Sequence, residues 1–291
     1  VMETSTRTHS GAPHDAPCPA GLLAADGPLS AAWGRRVQVL TTDWLAPDLP
    51  DAPALLRTPL LRPPYVVVLR DGRPVSHDEF CRTERIVLRS PDEVVLDTRR
   101  VASAVEAGAA VKFNRLELWE PTVADVAARL AAACGRRVRV YGFWTPPGSA
   151  ALPVHRDAAH VLVAQITGRK RWQVHGPPPA TGWSPGPCEE PGAVTARPLL
   201  EVGDLLYLPH GTAHQAIAQD GASFHLSFTL LSRTAGDLRR RIIDALSAAW
   251  DVEDSTELDG PGLRRVTEEL CASLRHTAID LAERLARGHL D

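Results

Sequence analysis

The chain has 291 residues, 44% of them hydrophobic and 23% charged, with a formal net charge of −3. That is the profile of a soluble globular protein long enough to bury a sizeable core, and the charge argues against a broad nucleic-acid footprint. No apolar run reaches the ~20 residues of a membrane span, no secretory leader is visible, and five cysteines without metal-type spacing (Cys18, Cys81, Cys134, Cys188, Cys271) predict reduced thiols in a cytoplasmic protein.

Residues 1–27 are rich in Ala, Gly, Pro, Ser and Thr without apolar periodicity and are expected to form a mobile tail. Ala31–Gly34 suggests a short helix and Val37–Leu40 a strand. Tyr65–Leu69 reads as a strand running into an Asp71-Gly72 turn, followed by a helix over roughly 76–82 and a small-residue helix from Val101 to Ala110. Val111–Asn114 is the next strand. Pro121 opens a helix with Val123, Val126, Ala127 and Leu130 on its apolar face, and Gly135 stops it.

Arg137–Tyr141 alternates strictly, as a half-buried strand does. Further strands are expected at 139–145, 153–166, 170–175, 204–208, 213–219 and 223–231, a density that predicts an antiparallel barrel or double-sheet jelly roll. Between them Gly176–Pro198 holds seven prolines and four glycines, expected as a lid or a disordered excursion. After Leu231 the pattern turns helical: Leu238, Ile242, Leu246 and Trp250, then Leu263, Val266, Leu270 and Leu274, then Ala278, Leu281 and Leu285, with 251–262 as a hinge. The expected organisation is a tail at 1–27, a catalytic domain at 28–232 and a helical segment at 233–291 that packs on the barrel or pairs with a second copy.

His155 and Asp157 stand two residues apart, so on an extended strand both side chains leave the same face. Iron(II) in oxygenases is held by two imidazoles and one carboxylate, with three positions left open, and His214 can supply the second imidazole. Taken alone, His-x-Asp is common and reads more simply as a hydrogen-bonded surface pair. Only two of the 32 basic residues are lysines, Lys112 and Lys170. Lys170 follows the Thr167-Gly168 turn, and pairing across that hairpin would bring its ammonium into the barrel mouth, where it could hold a carboxylate. The alternative is a solvated Arg-Lys-Arg turn. Along Ser223–Leu231, His225, Ser227 and Thr229 share one face, either lining the interior or forming the wet side of an edge strand.

Three stretches carry a resemblance: Thr145-Pro-Pro-Gly-Ser-Ala-Ala-Leu-Pro-Val-His-Arg-Asp157, Gln165-Ile-Thr-Gly-Arg-Lys-Arg-Trp172 and Gly203-Asp-Leu-Leu-Tyr-Leu-Pro-His-Gly-Thr-Ala-His-Gln215. In order and spacing they are similar to the JmjC-type, cupin-like ribosomal oxygenases, most closely over about 140–231. The resemblance implies an α+β fold, a double-stranded β-helix with flanking helices and a C-terminal helical dimerisation segment, here without the winged helix that ends many members. It implies an Fe(II)/2-oxoglutarate-dependent dioxygenase that uses O2 to hydroxylate a side chain of a protein or peptide and works as a homodimer. His155, Asp157 and His214 would hold iron and Lys170 the distal carboxylate of 2-oxoglutarate, with Ser227, Thr229, Tyr141 and Thr145 around the co-substrate. Tyr141 stands where relatives often have Asn, Arg156 where an aromatic residue is common, and Ala158-Ala159 where a polar pair is usual. Substrate choice is therefore sought at 156–159, and a ribosomal protein or a peptide natural product both fit. Demethylation of methylated lysine or arginine is the competing activity, and a cupin-like binding protein without catalysis is the competing class.

Overall fold

The computed structural model describes residues 19–41, 49–86, 88, 91–232, 239, 243 and 259–286. Two compact units meet in sequence at Leu231–Ser232. The first opens with helix α1 (Pro19–Leu23), β1 (Gln38–Thr41), α2 (Ala52–Leu56), the hairpin β2 (Val66–Arg70) and β3 (Arg73–Pro74), then β4 (Cys81–Glu84) and β5 (Glu93–Leu96). It continues through α3 (Thr98–Glu106), β6 (Ala110–Phe113), α4 (Pro121–Cys134), β7 (Val138–Thr145), β8 (His155–Arg156), β9 (Ala159–Thr167) and β10 (Lys170–His175). The last strands are β11 (Gly186–Pro187), β12 (Val194–Ala196), β13 (Leu199–Leu200), β14 (Asp204–Leu208), β15 (His214–Ala218) and β16 (Ser223–Leu231).

These strands form a double-stranded β-helix. The major sheet runs β1-β14-β9-β16-β7-β6-β2-β3 and the minor sheet β11-β8-β15-β10-β12, both antiparallel. The major sheet is covered on both faces. Its outer face (Val66, Val68, Val111, Phe113, Leu162, Leu205, Phe224, Phe228) packs with apolar residues of α1–α4. Its inner face meets the minor sheet, where Val161, Val163, Leu206 and Leu208 pack on Trp172, Val174 and Leu200. That double burial explains why Ala159–Gln165 is buried without alternation.

Local chemistry accounts for several element boundaries. Helix α4 starts at Pro121 with the Glu120 carboxylate accepting from Thr122 N–H, and it ends at Gly135, whose φ of 60° is the left-handed stop. Asp71 and Gly72 both take positive φ, the geometry that turns a two-residue hairpin between β2 and β3.

Several expectations are corrected. The 76–82 helix is only a 3-10 turn at His77–Glu79, because Cys81–Glu84 pairs with Glu93–Leu96 instead. The Val101–Ala110 helix begins earlier, capped by Asp97, and ends at Glu106, with Ala110 already in β6. The end of the expected tail is structured: α1 lies within it and Leu22 is 3% exposed in the core. The 153–166 strand is broken, β8 belonging to the minor sheet and β9 to the major, so the chain changes sheets at Asp157-Ala158. Likewise Thr167-Gly168 is not a hairpin between paired strands. Strand β10 pairs with β12, β13 and β15, and the turn is a corner between the sheets. Gly168 is required there, with φ of 65° and a would-be Cβ 2.4 Å from the Ala222 carbonyl. The 176–198 loop contributes β11 and β12 to the minor sheet, and Trp183 packs edge-on against His210.

In the second unit, Gly260–Ala286 is one continuous helix, α5, which takes in both the Leu263–Leu274 and the Ala278–Leu285 stretches. Leu238, Ile242, Leu246 and Trp250 lie outside the described residues. No helix among the described residues is long and apolar enough to cross a membrane.

Candidate metal centre

The two histidines meet because β8 and β15 are neighbours in the minor sheet, with His155 and His214 directly opposite each other. Their rings are 4.3 Å apart between centroids. Asp157, just past β8 at the change of sheets, brings Oδ2 to 3.9 Å from His155 Nε2 and 3.7 Å from His214 Nε2. One ligand atom from each residue lies within 4.8 Å of the others.

The backbone fixes which ring nitrogens are available. His155 Nδ1 is 3.0 Å from the Pro153 carbonyl and His214 Nδ1 is 2.9 Å from the Thr212 carbonyl. A carbonyl only accepts, so each Nδ1 carries a proton, and in the neutral imidazole each Nε2 then turns a lone pair toward Asp157. Burial, then neighbouring His155, pushes the His214 pKa down to about 4, against the pull of Asp157, which keeps its ring neutral near pH 7. Two lone pairs and a carboxylate converging on one point repel one another unless a cation sits between them. The donor set is that of a divalent metal with oriented imidazoles.

The triad opens on a cavity of about 440 Å³ between the sheets. All of the proposed co-substrate residues line it: Lys170, Ser227, Thr229, Tyr141 and Thr145. Strand β16 lies between β7 and β9, so its His225–Thr229 face is interior and the edge-strand reading is overturned. Lys170 sits in the cavity wall at 1% exposure. Its Nζ donates to the Phe143 carbonyl at 2.9 Å and to His225 Nδ1 at 2.8 Å. Burial alone drives its pKa well below that of an ordinary lysine. His225 is also held well below the usual range, by burial first and Lys170 second, and so accepts from the ammonium. No carboxylate accompanies Lys170 among the described residues. Thr145 and Trp172 line the cavity, and Thr145 Oγ1 and Trp172 Nε1 are buried without a hydrogen-bond partner. A buried cation and two orphaned polar groups mark the seat of a small polar anion.

Arg156 does not face the cavity. It is buried, with Nη1 donating to the Gly211 carbonyl at 2.7 Å and Nη2 reaching Pro191 O at 3.4 Å. Of the stretch where substrate choice was sought, Ala158 and Ala159 line the cavity beside Asp157. The wall residues not foreseen as site residues include His225, Trp172, Phe143 and Lys112. For His225 the signal was present in its alternation with Ser227 and Thr229. For Lys112 it was only the rarity of lysine.

Residues 117–238 match the family model of the JmjC domain. The chain is 31% identical over 141 residues to Ribosomal oxygenase 2 of Rattus norvegicus, covering 48% of this chain and 30% of that protein. It is 36% identical over 100 residues to the Bifunctional lysine-specific demethylase and histidyl-hydroxylase NO66 of Drosophila erecta, covering 32% and 15%. Among solved structures, YcfD, a ribosomal oxygenase from Escherichia coli in complex with cobalt and succinic acid, superposes with a TM-score of 0.52 at 16% identity, over 86% of this chain and 64% of that one. The chain thus spans less than a third of the length of these curated relatives, and the solved structure shares the fold.

Proposed function

We propose that this chain, a member of the JmjC family through residues 117–238, is an Fe(II)/2-oxoglutarate-dependent dioxygenase that hydroxylates an amino-acid side chain of a protein or peptide. The observation that carries the reading is one cavity with three converging metal-ligand atoms and a buried ammonium that has no counter-anion among the described residues. His155, Asp157 and His214 fit iron(II), and Lys170 fits the distal carboxylate of 2-oxoglutarate, with the Thr145 hydroxyl and Trp172 indole N–H as unpartnered polar groups nearby. Iron with 2-oxoglutarate supplies an oxidation in which one O2 is consumed, one oxygen atom enters succinate with release of CO2, and the other enters a substrate C–H bond.

The chain's own groups set the conditions for that chemistry. The Pro153 and Thr212 carbonyls hold both imidazoles in the Nε2-liganding tautomer. The Phe143 carbonyl and His225 keep the Lys170 ammonium pointed into the cavity, while Tyr141, Ser227 and Thr229 complete the wall. Fixing these groups before binding removes the ordering cost from each turnover.

Succinate formation with iron, ascorbate and 2-oxoglutarate tests the reading, and purified protein that neither binds iron nor makes succinate sinks it. His214→Ala should abolish iron binding, whereas a cupin-like binding protein would be indifferent to the change. Demethylation of methylated lysine or arginine is the second reading, favoured by the name of the Drosophila relative. Mass loss from the substrate instead of a gain of one oxygen would establish it. We further infer a homodimer formed through α5, which exposes Leu263 and Ile279.

A further inference from the structure

Both lysines of the sequence line the same cavity, yet the chain uses arginine for its other 30 cationic side chains. Lys170 has a place in the reading above. Lys112 does not.

Lys112 stands on β6 opposite Phe143 of β7, which is opposite His225 of β16, so the three form one row across the inner face of the major sheet. Lys170 meets that row at its other end, through the Phe143 carbonyl and His225. The two ammonium groups therefore occupy different parts of the cavity. Lys170 is wholly buried, whereas Lys112 is only partly so. Lys112 Nζ lies 4.9 Å from the Tyr141 ring centroid and 5.6 Å from that of Phe143, close enough for both rings to hold the cation by their faces. Among the described residues it has no hydrogen bond or ion pair. Burial lowers its pKa and Asp157 partly restores it.

Charge balance then distinguishes the two lysines. On the proposed reading, a divalent metal, Asp157, Lys170 and a dicarboxylate cancel one another. The Lys112 charge is left over, beside Tyr141 in the lining of the same cavity. A partly desolvated cation held by two ring faces and the charge of Asp157, without a hydrogen bond or ion pair, gains most from a carboxylate and opposes another cation. We infer that Lys112 is a specificity-determining residue: the side chain presented for hydroxylation is acidic, an aspartate or glutamate whose carboxylate pairs with Lys112, and methylated lysine or arginine is excluded. This rests on the oxygenase reading and names the substrate class for it.

The test uses the full chain, loaded with iron or cobalt and 2-oxoglutarate, and peptide pools with randomised neutral flanks around one central residue. The central residue is Asp, Glu, Asn, His, Arg or trimethyllysine. Two readouts run in parallel, a gain of one oxygen by mass spectrometry and peptide binding by fluorescence anisotropy on the cobalt form. Wild type should favour Asp and Glu pools over the cationic ones by roughly tenfold or more. Lys112→Met, which keeps the stem on the two rings, should flatten that preference, and Lys112→Glu should invert it toward Arg. Thermal unfolding checks that both variants are folded. A wild-type preference for the cationic pools, equal binding of all pools, or an unchanged order in Lys112→Glu overturns the inference. So does a Lys112→Met variant whose only defect is a raised KM for 2-oxoglutarate. Peptide-independent conversion of 2-oxoglutarate to succinate is measured alongside. Its absence, with no iron bound, indicts the oxygenase reading instead.

Discussion

Replacing Lys170 by Met separates a binding role from a structural one. The ammonium is buried and held by two acceptors, the Phe143 carbonyl and His225 Nδ1. Methionine has a stem of similar length and fills the same slot without charge. Its loss leaves two acceptors without this donor, at about 1–3 kcal/mol each. Against that, the folded state no longer buries a cation, an effective cost of several kcal/mol per ion. The two nearly cancel, so stability should change by less than about 2 kcal/mol in either direction. Ligand affinity has no such offset. A buried carboxylate that loses its charged partner costs about 2–5 kcal/mol, which is roughly thirtyfold to several thousandfold in Kd. Calorimetric titration of 2-oxoglutarate into cobalt-loaded protein measures it, with thermal unfolding alongside. Lys170→Arg should not rescue, because the slot is closed and a guanidinium overfills it. Binding by Lys170→Met within about threefold of wild type would refute the argument that this ammonium holds the distal carboxylate.

Two other predictions concern the frame around the site. Arg156→Met removes the donor to the Gly211 carbonyl, while the Gly211 N–H still donates to the Asp157 carbonyl at 2.9 Å. Urea unfolding should register a loss of about 1–3 kcal/mol, and an unchanged midpoint and slope would show that the clamp does not matter. His160, stacked on Trp33 and bonded to the Tyr207 hydroxyl at 2.9 Å, has its pKa pushed down to about 4, by burial first and Arg136 second. Its folded pKa lies below the unfolded value, so the unfolded chain takes up the proton first as the pH falls below about 6.5. Stability should therefore decline from pH 6.5 toward 4, by up to about 3 kcal/mol from this group. His160→Gln should make the decline shallower by one proton in denaturant titrations at several pH values, and an identical slope would contradict this.

The parts of the fold that were legible in the sequence are those written in neighbouring residues. Pro121 and Gly135 bracket α4 because one lacks an N–H where none is needed and the other tolerates a left-handed φ. The alternation of His225, Ser227 and Thr229 with Phe224, Leu226 and Phe228 marks two faces of β16, although only the sheet order decides that both are buried. What could not be read is pairing at a distance. The Thr167-Gly168 turn looks like a hairpin from either side, and nothing local shows that the chain crosses there to the other sheet. For the same reason Arg156 looked like part of the substrate wall. In a two-residue strand between β11 and β15, its guanidinium goes to the Gly211 carbonyl instead.

That crossing also explains why the site stands where it does. A continuous strand from 153 to 166 would keep His155 and Asp157 in one sheet and leave His214 to approach from elsewhere. Breaking it lets β8 pair with β15, which sets the two imidazoles side by side, and sends β9 into the major sheet. Asp157, at the step between sheets, can then face both Nε2 atoms. The barrel interior divides accordingly. Val161, Val163, Leu206 and Leu208 close one part against Trp172, Val174 and Leu200 as an ordinary apolar core. The remainder carries the convergent lone pairs, two orphaned polar groups and two ammonium groups. Each of these disfavours an empty cavity. The packed part keeps the sheets in place against that repulsion, so the polar part can be arranged for what it binds.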